Sequence, residues 1–258
     1  MFDWIESLNR SRNRKAVLVT LIEHSGSSPR EPGAKMLVFE KGEFEGTIGG
    51  GNLEKVALEE SEKLFQESGS SVFKKKIPLW ALTGQCCGGT VELLFELVND
   101  GPQVYISGAG HVGQALAGIL VDTEFRVHLI DERPEWIRHE KLSSKVQKHE
   151  MHWDEYFSDI HFSKEKTFIV VMTHNHQIDQ DIIEKMTEMD CVYIGLIGSH
   201  SKWERFKQRF QHKNIKLDRF EKVHCPIGID IGGKSPQEVA ISIAAQILKE
   251  FHETKTTS

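Results

Sequence analysis

The spacing of apolar residues changes period along the chain. Between Gln103 and Asp131, QVYISGAGHVGQALAGILVDTEFRVHLID, a run of β-formers (Val104, Tyr105, Ile106) gives way at GAGHVG to apolar residues at helical spacing. These are Val112, Ala115, Leu116, Ile119 and Leu120, and a second apolar run, Val127 to Ile130, then ends on Asp131. Strand, tight turn, helix and strand follow from that alternation of periods, a βαβ unit.

The pattern continues to the carboxy terminus. ERPEWIRHEKL reads as a loop or short helix, Lys166 to Met172 as a buried strand, Gln180 to Met189 as a helix, and Val192 to Ile197 as a strand turning at Gly198-Ser199. A charged helix spans Trp203 to Phe210, and Ser235, Pro236 and Glu238 form a capping box that opens a last helix through Val239, Ile243, Ile247 and Leu248. Repeated βα alternation predicts a doubly wound, Rossmann-like parallel sheet.

Upstream the elements are shorter. Phe2, Trp4, Ile5 and Leu8 predict an opening helix, Ala16 to Ile22 a strand, and Met36 to Phe39 with Gly46 to Ile48 a hairpin about Lys41-Gly42-Glu43. A helix with Leu53, Val56, Ala57, Leu64 and Phe65 on one face follows, then strands at Val72 to Ile77 and Thr90 to Leu97. The polar turn Asn99-Asp100-Gly101-Pro102 reads as a linker. The expected fold class is therefore α/β, with a smaller α+β domain over 1–100 and a Rossmann-like domain over 101–258.

Composition narrows the function classes. The 258 residues are 39% hydrophobic and 27% charged with a net charge of -6, which gives no footprint for nucleic acid. No apolar run approaches membrane-spanning length, and the first residues lack the apolar core of a secretory signal. Four cysteines, Cys86, Cys87, Cys191 and Cys225, show no disulfide-framework spacing. A reducing cytoplasm is expected.

Candidate chemistry clusters at loops. Gly108 permits the sharp turn, Gly110 lets backbone amides approach a phosphate, and Gly113 lets the helix pack on the strand. N–H groups at the helix start, His111 included, then favour an anion. Asp131 stands where a ribose-binding carboxylate belongs, with Arg133 placed to meet a second anionic group.

Thr173, His174 and His176 fall at the carboxyl end of a strand, the functional edge of such sheets. The two histidines would suit a metal if they shared a strand face, with Asp179 as outer partner, although no HExxH or CxxC accompanies them. GxSxG is absent, and a GxxxxGK[ST] phosphate loop is discounted at Gly233-Lys234-Ser235 because Gly228 is read as one residue too close to Gly233 and no fitting strand and loop is read ahead of it.

In the first hundred residues, Arg30 lies between two prolines in HSGSSPREPGAK, and Gly49, Gly50 and Gly51 read as backbone brought close to a ligand or another strand. A plain loop with Asn52 as helix N-cap is the alternative. The adjacent Cys86 and Cys87, flanked by Gly84, Gly88 and Gly89, read as exposed, usable thiols.

GSSPREPGAKMLV, TIGGGNLE, GQCCGGTVELLFE, SGAGHVGQALA, VHLIDERPEW, VMTHNHQID, YIGLIGSHSKWERF and CPIGIDIGGKSPQEVAISIAAQIL occur in that order. Together they resemble the xanthine dehydrogenase accessory proteins of the XdhC/CoxI type, from about residue 16 to about residue 250. The resemblance implies a homodimeric carrier, rather than a catalyst, that binds the molybdenum cofactor (molybdopterin).

Such a carrier protects the cofactor while a cysteine desulfurase supplies its terminal sulfur. It then delivers the cofactor to the molybdenum-binding subunit of xanthine dehydrogenase or a related hydroxylase. On that footing the amides at Gly108, Gly110 and His111 would meet the phosphate, Arg30, Asn52 and Glu54 the pterin, and a thiolate of Cys86 or Cys87 the thiophilic molybdenum. The rival reading is an NAD(P)-dependent oxidoreductase built on GAGHVG and Asp131, with His174 or His176 as proton donor.

Overall fold

The computed structural model describes residues 3–11, 14–66, 71–80, 89–158, 160 and 162–257. The chain divides into two compact units, Met1–Asp100 and Gly101–Ser258.

The first unit is α+β. Helix α1 (Trp4–Arg10) precedes strands β1 (Ala16–Ser25), β2 (Lys35–Phe39) and β3 (Phe44–Gly46), helix α2 (Gly51–Gln66), and strands β4 (Val72–Pro78) and β5 (Thr90–Val98). The strands form an antiparallel sheet in the order β3-β2-β1-β5-β4. Alternate residues face opposite ways. Val17, Val19, Met36, Leu93 and Phe95 turn to Leu53, Ala57 and Leu64 of α2, while Ala16, Leu18, Leu37 and Phe39 turn to Trp4 and Leu8 of α1.

The second unit is the parallel sheet that the alternating pattern predicts. Its elements are β6 (Gln103–Ser107), α3 (His111–Leu120), β7 (Arg126–Ile130), α4 (Pro134–Ile137), β8 (Gln147–His149), α5 (Trp153–Ser158), β9 (Thr167–Val171), α6 (His176–Met186), β10 (Tyr193–Leu196), α7 (His200–His212), β11 (Val223–His224) and α8 (Pro236–Thr257). All six strands run parallel in the order β11-β10-β9-β6-β7-β8. The order runs outward in both directions from β6 and β9, as in doubly wound Rossmann sheets, with the switch point between those two strands.

Both sheet faces are covered, so the strands are apolar throughout rather than alternating. Val104, Ile106, Val127, Phe168 and Val170 pack under α3 and α8, and Ile130, Ile169, Val171, Ile194 and Leu196 pack under α5, α6 and α7. Every strand's carboxyl end therefore opens on the same edge.

Two predicted helices start earlier than the sequence reading places them. Asn175 caps α6 by accepting from the Gln177 N–H, and Ser199 caps α7 by accepting from the Lys202 N–H. Their first turns are polar, so apolar spacing alone misses them.

Candidate functional site

The turn after β6 is shaped by two glycines that admit no side chain. Gly108 has φ +117°, and a Cβ there would run into the Met172 carbonyl; one on Gly113 would run into the carbonyl of Gly108. Gly110 differs, because a Cβ on it meets nothing within 4 Å and its φ is -64°. Its freedom serves the space outside the turn.

Gly110 is the N-cap of α3, and no side chain caps that helix. The N–H groups of His111, Val112 and Gly113 face outward with the helix dipole behind them, the arrangement that holds a phosphate or carboxylate.

Asp131 does not stand free to meet a ribose. Its Oδ2 accepts from the Ala109 N–H (2.7 Å) and from Arg133 Nη2 (2.7 Å), and its Oδ1 accepts from the Arg133 N–H (3.0 Å) and Arg133 Nε (2.8 Å). Four donors fill the lone pairs of one carboxylate. Burial pushes the Asp131 pKa up, but the bonds from Arg133 and Ala109 outweigh it and hold the carboxyl below its ordinary value. Arg133 is likewise paired with Asp131, through Nε and Nη2.

Two openings lie along the carboxyl edge. The first is bounded by Ser107, Gly108, Asp131, His152, Trp153 and His174. The second is a cavity of about 490 Å³ bounded by Thr173, His176, Ser199, Lys202, Arg205 and Arg209 among others. The latter volume is within the range of small-molecule sites.

His174 and His176 thus line different openings. Neither is on a strand: His174 precedes the cap residue Asn175, and His176 is the first residue of α6. The condition for a shared metal, one strand face, is not met, and among the described residues no cluster of three or more His, Cys, Asp or Glu side chains is placed to hold a metal ion.

Asp179, read from sequence as an outer partner of a metal-binding histidine, is fully buried and serves another group. It accepts from the Thr173 N–H (2.9 Å), Thr173 Oγ1 (2.7 Å) and Lys202 Nζ (2.7 Å), while His176 Nδ1 stands 3.8 Å away. Sequence reasoning passed over Lys202, Arg205 and Arg209. The signal was available in SHSKWERFKQR, a helix start at a strand's carboxyl end with basic residues recurring on one face.

The loop before α8 also needs correction. Gly228 to Ser235 does carry the GxxxxGKS spacing and does lie between a strand and a helix, so its context is not a reason to discount it. Several of its N–H groups are nevertheless engaged within the protein. The Lys234 and Ser235 N–H groups donate to Glu238 Oε2 (3.2 and 3.0 Å), Gly232 N–H to Asp230, Gly228 N–H to Gln246 and Ile229 N–H to the Ser242 carbonyl. Five of the loop's N–H groups are thus engaged within the protein.

In the first unit, Gly49, Gly50 and Gly51 all have positive φ, and a Cβ on Gly49 would press into Pro29. Glu54 Oε1 accepts from Thr47 Oγ1 (2.5 Å) and the Gly50 N–H (3.0 Å), which ties the glycine loop to α2. Asn52 lies inside α2 rather than capping it, and Arg30 is exposed with no ion pair among the described residues. Cys86 and Cys87 lie outside the described residues. Of the other thiols, burial pushes Cys191 and Cys225 up to about 11, which keeps both neutral at pH 7.

Fold and turn together define a Rossmann-type domain whose first helix starts without a side-chain cap. Residues 104–247 match the family model described as the XdhC Rossmann domain, and residues 10–74 that of the XdhC and CoxI family. The chain belongs to the XdhC family.

Among curated proteins it is 27% identical over 242 residues to the uncharacterized protein YqeB of Escherichia coli (strain K12), covering 92% of this chain and 44% of that one. It is 28% identical over 160 residues to a probable xanthine dehydrogenase subunit of Bacillus subtilis (strain 168), covering 62% of this chain and 46% of that one. The chain spans about half the length of these curated relatives. A crystal structure of a xanthine dehydrogenase from Bacillus halodurans matches with a TM-score of 0.52 at 20% identity, over 97% of this chain and 95% of that one. At that identity the likeness is one of fold. Among the described residues no helix is long and apolar enough to cross a membrane.

Proposed function

We propose that the protein serves a xanthine dehydrogenase or related hydroxylase as an accessory factor, holding phosphorylated molybdopterin at the open turn of the second unit. The observation that carries this reading is the uncapped start of α3 beside a saturated Asp131. A phosphate finds donors there, whereas a nucleotide ribose finds no free carboxylate to accept from its hydroxyls.

Family membership, and the name of the Bacillus subtilis relative, supply the direction toward a xanthine dehydrogenase system. The residues fit the phosphate end of the group: Gly110 leaves room for it, and the N–H groups of His111, Val112 and Gly113 would hold it. The bound group would supply a sulfurated molybdenum centre for delivery to the client hydroxylase. Cys86 and Cys87 would act on the metal side, a cysteine desulfurase would provide the sulfur, and the working form would be a cytoplasmic homodimer.

The test is extraction of the ligand that accompanies the purified full chain, read by absorbance and mass, together with titration of freshly released molybdopterin. A pterin phosphate, bound by wild type and lost in Gly110→Ala, supports the proposal. Recovery of NAD(P) with turnover, and no heat with the pterin, replaces it with the oxidoreductase reading. Client sulfuration unchanged by the double change Cys86→Ala and Cys87→Ala would remove the thiols from the account.

A further inference from the structure

The second opening, beside β9 and β10, carries charge that no described residue neutralises. Ser201, Arg205 and Arg209 recur every fourth residue along α7 and line the cavity together. Residues so spaced stack on one face of a helix, and like charges in that relation repel.

Each cation on this helix has a different fate. Lys202 is satisfied by buried Asp179 (2.7 Å) and the Ile197 carbonyl (2.8 Å), and Lys207 by Glu204 (2.5 Å). Arg209 Nη1 donates to Oε1 of Gln180 (3.0 Å), a buried but neutral acceptor that fixes the guanidinium without cancelling its charge. Arg205 is exposed and has no ion pair among the described residues.

Among the described residues, Asp179 is the one carboxylate bonded to the lining, and Thr173 and Lys202 occupy both its oxygens. Two guanidinium groups therefore converge on a cavity of about 490 Å³ in a chain whose net charge is -6. Ser201 adds a hydroxyl, and Ser199, the N-cap of α7, brings the positive end of that helix's dipole to the same lining. Two guanidinium forks and a helix start match a doubly charged tetrahedral anion better than a single carboxylate.

We propose that this cavity binds the phosphate group of a small organic phosphate monoester through Arg205 and Arg209, at a site separate from the glycine turn after β6. Its ligand need not be related to the one held at that turn. Two strands, β6 and β10, flank β9, so the sites stand on the order of 10 Å apart along the sheet edge.

The test titrates the full chain with inorganic phosphate and with phenyl phosphate at constant ionic strength, followed by calorimetry and by phosphorus NMR. Arg205→Gln and Arg209→Gln are compared with Gly110→Ala and with the distant control Lys249→Gln. Wild type and Lys249→Gln should bind phenyl phosphate alike, and each arginine change should weaken that binding about tenfold or more. Gly110→Ala should leave this arginine-dependent binding unchanged and remove the separate component that belongs to the turn.

Tighter binding of phenyl phosphate than of inorganic phosphate identifies the monoester as the ligand class, and equal binding overturns that part. Arginine variants that bind both anions as wild type does overturn the site. Loss of all binding in Gly110→Ala alone also overturns it while leaving the proposed function standing. Loss in the arginine variants alone upholds the site and leaves the turn without its anion.

Discussion

Two glycine-rich loops carry the chain from a strand into a helix in the same parallel sheet, and they end in opposite states. The loop before α3 leaves its helix start uncapped. The loop before α8 has Ser235 Oγ accepting from the Glu238 N–H (3.3 Å) while the Glu238 carboxylate accepts from the Lys234 and Ser235 N–H groups. Each matches a phosphate-binding spacing, yet the first helix start is uncapped while at the second the N–H groups of Lys234 and Ser235 are already engaged. Motif spacing sets where glycines must stand, whereas the fate of each N–H decides whether an anion is welcome.

The sharpest way to break the comparison is at the turn itself. Gly108→Ala joins a positive φ to a collision with the Met172 carbonyl and should destabilise the second unit by about 3 kcal/mol, read by chemical denaturation. A loss under about 1 kcal/mol would mean the turn is not held against β9 as described. At the other loop, Ser235→Ala removes the cap of α8 and should cost about 1 kcal/mol. If Glu238→Ala leaves amide exchange at Lys234 as slow as in wild type, the Glu238 carboxylate is not what occupies those donors.

Acid should loosen the open turn through Asp131. Its folded pKa lies below its ordinary 3.8, so its contribution is complete above that pH and is lost as pH falls through the folded value. Asp131→Asn should flatten stability below about pH 4, and an unaltered acid limb would show that the carboxylate does not carry it. The smallest stability effect belongs to Gly110→Ala, within about 1 kcal/mol because its Cβ meets open space. Phosphate binding at the turn should nonetheless be lost.

Much of this was legible in the sequence. The βαβ pattern over Gln103–Asp131 and the capping box at Ser235–Glu238 are local, and both appear where their residues predict. Strand β8 and helix α5 were not foreseen. Gln147-Lys148-His149 has no apolar alternation, and it is a strand through its parallel pairing with β7. Helix α5 is six residues long, too short for a period to emerge.

At the site, the glycines could be read because backbone geometry demands them, but the engagement of Asp131 could not. A carboxylate in the ribose position looks the same in sequence whether it awaits a ligand or is clasped by the arginine two residues on. Likewise Asp179 and Lys202, 23 positions apart, meet only because α6 and α7 pack on one face of the sheet.

The most direct measurement is a proton–nitrogen NMR titration of the Arg205→Gln protein with inorganic phosphate, which isolates the turn from the second cavity. Saturable shifts of the His111 and Val112 amides are expected, with Lys234 and Ser235 unmoved. Shifts at Lys234 and Ser235 without any at His111 and Val112, or no shifts at all, would contradict the open cradle at α3.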